Sequence, residues 1–133
     1  IACLPIALGA ETKIDTFALS SDLAGAAGHA LIGDALVASG QSAQSVMVWR
    51  LDDLMERFPD LPKPTAMKID TDGNEIDVIA GMPKTLATVR SVMVEVRGRT
   101  REAIASLLVR QGFEEVGDHR RIAPDTWNVN YER

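Results

Sequence analysis

The chain has 133 residues, a length typical of one domain. Hydrophobic residues make up 46% and charged residues 25%, a composition typical of globular proteins that excludes global disorder. With 14 Lys and Arg against 19 Asp and Glu, the formal net charge is −5, which argues against nucleic-acid binding. The sequence contains no stretch of roughly 18 apolar residues and no signal-peptide pattern. We therefore expect a cytoplasmic protein with no membrane partner.

The first half of the chain predicts three strands, one loop and one helix. Residues 1–8 form an almost wholly apolar run typical of a buried strand, and residues 13–19 alternate polar and apolar side chains as a half-buried strand does. Residues 20–44 carry few bulky side chains and predict a long loop. Residues 46–49 predict a strand by composition, and residues 51–58 repeat apolar side chains at helical spacing.

The second half of the chain alternates strands and helices. The predicted elements are a strand over 65–69, an acidic loop over 70–75, helices over 76–80 and 83–89, a strand over 91–96, a helix from an N-cap at Thr100 to Gly112, and strands over 113–116 and 122–131 with a hairpin tip over 118–121. Apolar strands between helices predict an α/β fold with a mainly parallel sheet covered by helices. The last two strands are close in sequence and predict an antiparallel pair at the C-terminus.

Polar side chains follow two of these strands at the point where each strand ends. They are Asp70, Asp72, Asn74 and Glu75 after the first strand, and Glu95 and Arg97 at the end of the second. Ligands of open parallel sheets bind outside the carboxyl ends of the strands. The sequence therefore predicts a functional site at this edge of the sheet.

The same region resembles the FkbM-type S-adenosylmethionine-dependent methyltransferases. The resemblance rests on the LDDL motif at 51–54, the block KIDTDGNEIDVIAGM at 68–82, Val94-Glu95, and Gly112-Phe113. It implies a Rossmann-like methyltransferase sheet and S-adenosylmethionine as the cofactor. Thr71 and Asp72 stand where the family usually has Val and Glu, and an aspartate keeps the charge but shortens its reach.

Members of that family also carry a glycine-rich loop of the DxGxxxG type that holds the methionine part of the cofactor. Residues 1–133 contain no such loop. The resemblance therefore implies that the chain is a single domain over 1–133, equivalent to the C-terminal half of a class I methyltransferase domain with an incomplete sheet. On this interpretation the parent protein is the enzyme, and the fragment alone should bind the cofactor poorly and be inactive.

The resemblance also implies roles for particular residues. Asp70 would face the methyl end of the cofactor and would orient or deprotonate an acceptor hydroxyl, with Glu75 and Glu95 as further catalytic candidates. A carboxylate also favours the positive sulfonium of the cofactor. Ala7 and Leu8 would lie near the adenine. The expected reaction is O-methylation of a small molecule, a sugar or natural-product hydroxyl.

Several alternatives stay open at this point. Glu75 can equally cap a helix, and Glu95 can equally pair with Arg97 or Arg99. The acidic loop does not have EF-hand spacing, so no metal ligand is assigned, although a carboxylate metal-binding domain is an alternative. A non-catalytic α/β interaction module is another. His29 is more simply a loop residue, in a loop that can reach the acceptor. An incomplete sheet would expose an edge and could pair with a second copy as a homo-oligomer.

Overall fold

A computed structural model describes residues 3–20, 29–32 and 42–133 of the chain. Most of the predicted loop over 20–44 lies outside the described residues. Where the structure does describe this segment, the loop prediction is wrong, because a short strand covers Ala30–Leu31 and another strand begins at Ser42. Among the described residues, no helix is both long and apolar enough to span a membrane.

The first sheet is built from the N-terminal part of the chain. Its strands are β1 (Ala7–Leu8), β2 (Lys13–Leu19), β3 (Ala30–Leu31) and β4 (Ser42–Trp49), in the spatial order β1-β4-β2-β3. Only β1 and β4 pair in parallel, and β2 runs antiparallel to both β3 and β4. The predicted strand over 1–8 begins outside the described residues, and within residues 3–8 only Ala7 and Leu8 form a strand. Helix α1 (Leu51–Arg57) follows the sheet.

The second sheet follows α1 along the chain and carries most of the buried residues. Its strands are β5 (Ala66–Ile69), β6 (Ser91–Arg97), β7 (Glu114–Ala123) and β8 (Thr126–Glu132), in the order β5-β6-β8-β7. Helices α2 (Glu75–Ala80), α3 (Pro83–Leu86) and α4 (Gly98–Arg110) lie between these strands in sequence. Strands β5 and β6 are parallel, whereas β8 is antiparallel to β6 and β7. The antiparallel C-terminal pair is thus confirmed.

The α/β class is confirmed, but the prediction of a mainly parallel sheet is wrong. The described strands form two mixed sheets in which antiparallel pairings predominate. The error has a physical cause in β6, whose apolar run suggested burial on both faces. Only Val92, Val94 and Val96 are buried, and the alternating side chains on the other face are partly exposed. One buried face is the pattern of a sheet that can accept antiparallel neighbours.

Two local predictions in the C-terminal part are also wrong. Helix α4 begins at Gly98 rather than after Thr100, and the Thr100 hydroxyl accepts the backbone N–H of Arg97 at 3.1 Å from inside the first turn. The hairpin tip lies between β7 and β8 at Pro124 and Asp125, whereas the expected tip over 118–121 belongs to β7. Proline cannot donate to a sheet ladder and suits the turn.

The two sheets meet at a close contact between two glycines. A Cβ atom added to Gly81, at the end of α2, would lie 2.0 Å from the backbone oxygen of Gly9, just after β1. The backbone N–H of Asp52 also donates to the Gly81 carbonyl at 3.2 Å. Only a residue without a side chain fits this approach. Gly81 therefore sets how closely β1 approaches the second sheet, and with it the position of the site described next.

Candidate functional site

An acidic turn over residues 70–74 joins β5 to α2. Asp72 and Gly73 both have positive φ, 55° and 122°. Glu75, the first residue of α2, is only 3% exposed and contacts the turn through its carboxylate. One carboxylate oxygen of Glu75, Oε1, accepts the backbone N–H of Thr71 at 3.0 Å, its hydroxyl at 3.1 Å, and the backbone N–H of Gly73 at 2.9 Å. In this structure the Glu75 carboxylate thus positions the turn.

Asp70 lies at the exposed start of the turn, directly after β5. Its Oδ2 accepts a hydrogen bond of 2.7 Å from Nζ of Lys68. That hydrogen bond and the charge of Asp70 raise the pKa of the Lys68 ammonium group. Lys68 and Asp70 therefore form a charge-assisted pair at the strand end.

Glu95 reaches the same edge from the neighbouring strand β6. Partial burial raises the pKa of its carboxyl group, and the negative charge of Asp70 adds to the effect. The Arg97 guanidinium opposes this shift and also lies 3.9 Å from Oδ1 of Asp72. The structure thus brings the acidic residues of the two strand ends into electrostatic contact, with Lys68 and Arg97 as their cations.

A cavity of about 390 Å³ opens beside the acidic turn, a size within the range of about 300–1,000 Å³ for small-molecule sites. Among the described residues, three groups line it: Ile6, Ala7 and Leu8 from β1 and the residue before it, Phe17, His29 and Leu31 from β2, β3 and the residue before β3, and Thr71, Asp72 and Asn74 from the turn. Nδ2 of Asn74 donates to the Leu8 carbonyl at 3.0 Å and joins two of these groups.

The structure distributes the candidate residues unevenly around this cavity. Ala7 and Leu8, expected near the adenine, line it together with the turn. Asp70, Glu75 and Glu95 are not among the residues that line it, and among the described residues the acidic side chain on its wall is Asp72. Sequence reasoning gave Asp72 little weight. The signal in the sequence was the Asp-Gly pair, because Asp is enriched among the few non-glycine residues that adopt a positive φ. Such residues cluster at functional sites.

The LDDL motif has a structural role. Asp52 is 5% exposed, and its carboxylate accepts the backbone N–H groups of Lys84 and Thr85 at 2.8 Å each and the Thr85 hydroxyl at 2.7 Å. It thereby satisfies free N–H groups at the start of α3 from another helix. Within the described ranges, no group of three or more His, Cys, Asp or Glu side chains is arranged to hold a metal ion.

Comparison with known proteins gives one match. A family model described as the methyltransferase FkbM domain matches residues 4–124, which include the acidic turn and every residue lining the cavity. This match confirms the resemblance seen in the sequence. The members of this family typically depend on S-adenosylmethionine. The searches of curated proteins and of solved structures found no match.

Proposed function

The chain belongs to the FkbM methyltransferase family, and on this premise we propose that it acts in the transfer of a methyl group from S-adenosylmethionine to a hydroxyl oxygen of a sugar or natural product. The observation that carries the proposal is the junction of β1 with the acidic turn. Asn74 ties the turn to the Leu8 carbonyl, and a cavity of ligand size opens between them. The proposed architecture is part of a Rossmann-like methyltransferase sheet.

The chemistry of the cavity wall suits the cofactor. We assign the side of the cavity with Ala7 and Leu8 to the adenine ring and the side with Phe17 and His29 to the acceptor. The carboxylate of Asp72 on this wall, with Asp70 two residues before it in the turn, supplies negative charge, which favours a sulfonium cation over neutral molecules of the same shape. When bound, S-adenosylmethionine would supply an electrophilic methyl group for transfer to the acceptor oxygen.

We assign the acceptor proton to Asp70, which lies at the end of β5 and directly precedes the cavity-lining turn residues Thr71 and Asp72. An alcohol must lose its proton as its oxygen attacks, and a positioned carboxylate can accept that proton. Lys68 holds Oδ2 of Asp70, and we assign Oδ1 to the acceptor hydroxyl.

Glu75 and Glu95 have supporting roles in this proposal. Glu75 fixes the turn that carries Asp70 and Asp72, since its carboxylate is occupied by three hydrogen bonds from within the turn. Glu95 adds negative charge beside Asp70. Both residues act through the geometry or the charge of the turn.

The proposal is tested by Asp70→Asn in the full-length protein. We expect turnover to fall by about 10²- to 10⁴-fold, the usual contribution of a general base, with little change in the Kd for S-adenosylmethionine. Methyl transfer is measured by mass spectrometry on a panel of methyl glycosides, and cofactor binding by calorimetry. Asp60→Asn is the matched control, because Asp60 is an exposed carboxylate after α1. Unchanged turnover of Asp70→Asn would remove Asp70 from the mechanism, and a wild-type protein that methylates no glycoside would contradict the sugar assignment.

A further inference from the structure

His29 is held in a defined orientation at the cavity wall. The backbone N–H of Ser20 donates to Nδ1 of His29 at 3.1 Å. The Phe17 ring packs against the imidazole with 5.8 Å between ring centroids and an interplanar angle of 57°. Phe17 and His29 both line the cavity. Two contacts of different kinds therefore fix the imidazole before any ligand binds, and such preorganisation is expected of a binding residue.

The Ser20 contact also determines which ring nitrogen carries the proton. Nδ1 accepts a hydrogen bond from a backbone N–H, and an accepting nitrogen has no proton of its own. The neutral imidazole must then carry its proton on Nε2. In this tautomer the hydrogen-bond donor of His29 is Nε2, on a side chain that lines the cavity.

The neighbours of His29 indicate what that donor would meet. Ile6, Phe17 and Leu31 give the cavity an apolar surface, and Thr71, Asp72 and Asn74 give it a polar edge. A pyranose ring has the matching character, because its C–H faces are apolar and its oxygens lie at the rim. The Phe17 ring can pack against a C–H face of the pyranose, and the neighbouring Nε2 donor of His29 can then bind an oxygen at the rim of the sugar.

We propose that His29 is a specificity-determining residue that donates a hydrogen bond from Nε2 to an oxygen of a pyranose acceptor other than the oxygen that is methylated. This inference rests on the proposed function and extends it by naming the ring class and its recognition group. His29 binds the acceptor in this scheme, whereas Asp70 receives the proton.

The experiment compares methyl α-D-glucopyranoside and its monodeoxy derivatives as acceptors for the wild-type full-length protein and two variants. His29→Gln can return an amide donor near the position of Nε2. His29→Asn places its amide near Nδ1, where it can keep the Ser20 contact but offers no donor at Nε2. His119→Gln is the matched control, since His119 lies on β7 and pairs with Glu115 at 2.6 Å, away from the cavity.

For wild type and the His119→Gln control, we expect one monodeoxy derivative to lose about 3- to 10-fold in kcat/KM, the loss of one hydrogen bond. In His29→Asn, kcat/KM for the parent glycoside should fall by a similar factor, mainly because KM rises. For the deoxy derivative, kcat/KM should be the same in His29→Asn as in wild type. His29→Gln should recover part of the preference. The thermal unfolding midpoint of each variant shows whether it is folded.

The outcomes separate the two proposals. The role of His29 is overturned if wild type and His29→Asn discriminate equally against the deoxy derivatives, or if wild type does not discriminate against any of them. In both cases methyl transfer still occurs, and the methyltransferase proposal stands. No methyl transfer to any glycoside by wild type overturns the sugar assignment and this inference with it. Nitrogen NMR of the imidazole adds an independent readout, in which a proton on Nδ1 instead of Nε2 would contradict the inference.

Discussion

The described residues line the cavity with two walls that are built in different ways. The acidic turn follows a strand of the second sheet, in which β6 buries Val92, Val94 and Val96. The buried carboxylate of Glu75 accepts three hydrogen bonds from this turn. The other wall stands on the first sheet, where β3 has two residues. There Ile14 of β2 is 70% exposed, opposite Met47 of β4, which is 41% exposed.

This difference matches the proposed division of work between the walls. The proposed proton acceptor Asp70 begins a turn that the buried Glu75 carboxylate fixes at Thr71 and Gly73, and such support helps to keep a reacting group near its productive position. A group that only distinguishes one acceptor from another tolerates a lighter support, because each such contact contributes a single hydrogen bond. The well-packed wall carries the charges, and the lightly packed wall carries Phe17 and His29.

The strongest way to break this arrangement is to separate the two walls at the glycine contact. Gly81→Ala would place a methyl group against the backbone of Gly9, so one of the two segments must move. We expect the free energy of unfolding to fall by about 4 kcal/mol or more, the range of severe core defects. Chemical denaturation measures this, with the exposed neighbour substitution Ala80→Ser as the control. A loss below about 1 kcal/mol would show that the contact does not set the spacing.

A smaller effect is expected from loosening the acidic wall alone. Glu75→Ala leaves the backbone N–H groups of Thr71 and Gly73 without their acceptor. We expect a loss of roughly 2–4 kcal/mol, and about half of that for Glu75→Gln, which keeps one acceptor oxygen. Denaturation of both variants checks this, and Glu102→Ala on the exposed face of α4 should change little. If Glu75→Ala unfolds like Glu102→Ala, the carboxylate does not hold the turn.

The smallest expected effect is a change in stability when the charge of Glu95 is removed. Burial and the charge of Asp70 raise the pKa of Glu95 in the folded protein. The folded state therefore holds this proton more tightly than the unfolded state, and stability falls as the pH rises through the folded pKa. Glu95→Gln should then be more stable than wild type at pH 7, by less than about 0.5 kcal/mol because solvent screens the group. Denaturation across pH should show the gain vanish below the unfolded pKa of glutamate, and a gain that persists there would contradict the sign.

The sequence predicted the local elements of the second sheet well. Apolar spacing and the breakers Gly81 and Pro83 located β5, α2, α3 and β6 within a few residues. The arrangement of the strands was less accessible. The pairing of β2 with β4 joins segments separated by residues 20–41, and nothing in the local pattern of residues 13–19 reveals that partner. Periodicity reports the faces of a strand and does not report its neighbours.

The site was predicted in part for a similar reason. The strand-end rule located the acidic turn, because that rule depends on the order of elements along the chain. Which carboxylate faces the cavity depends on the backbone angles at Asp72, and these are set by contacts of Glu75 with the turn. Asp52 shows the same limit, since its position in the first turn of α1 gave no sign that it would cap α3.

The central claim is that β1 and the acidic turn form one cofactor-facing site. Hydrogen–deuterium exchange of the full-length protein, with and without the product S-adenosylhomocysteine, tests it most directly. We predict slower exchange in peptides that cover residues 6–9 and 70–75, and unchanged exchange over residues 54–61, most of which line a second, apolar cavity of about 470 Å³. Protection over 54–61 with none over 70–75 would contradict the account.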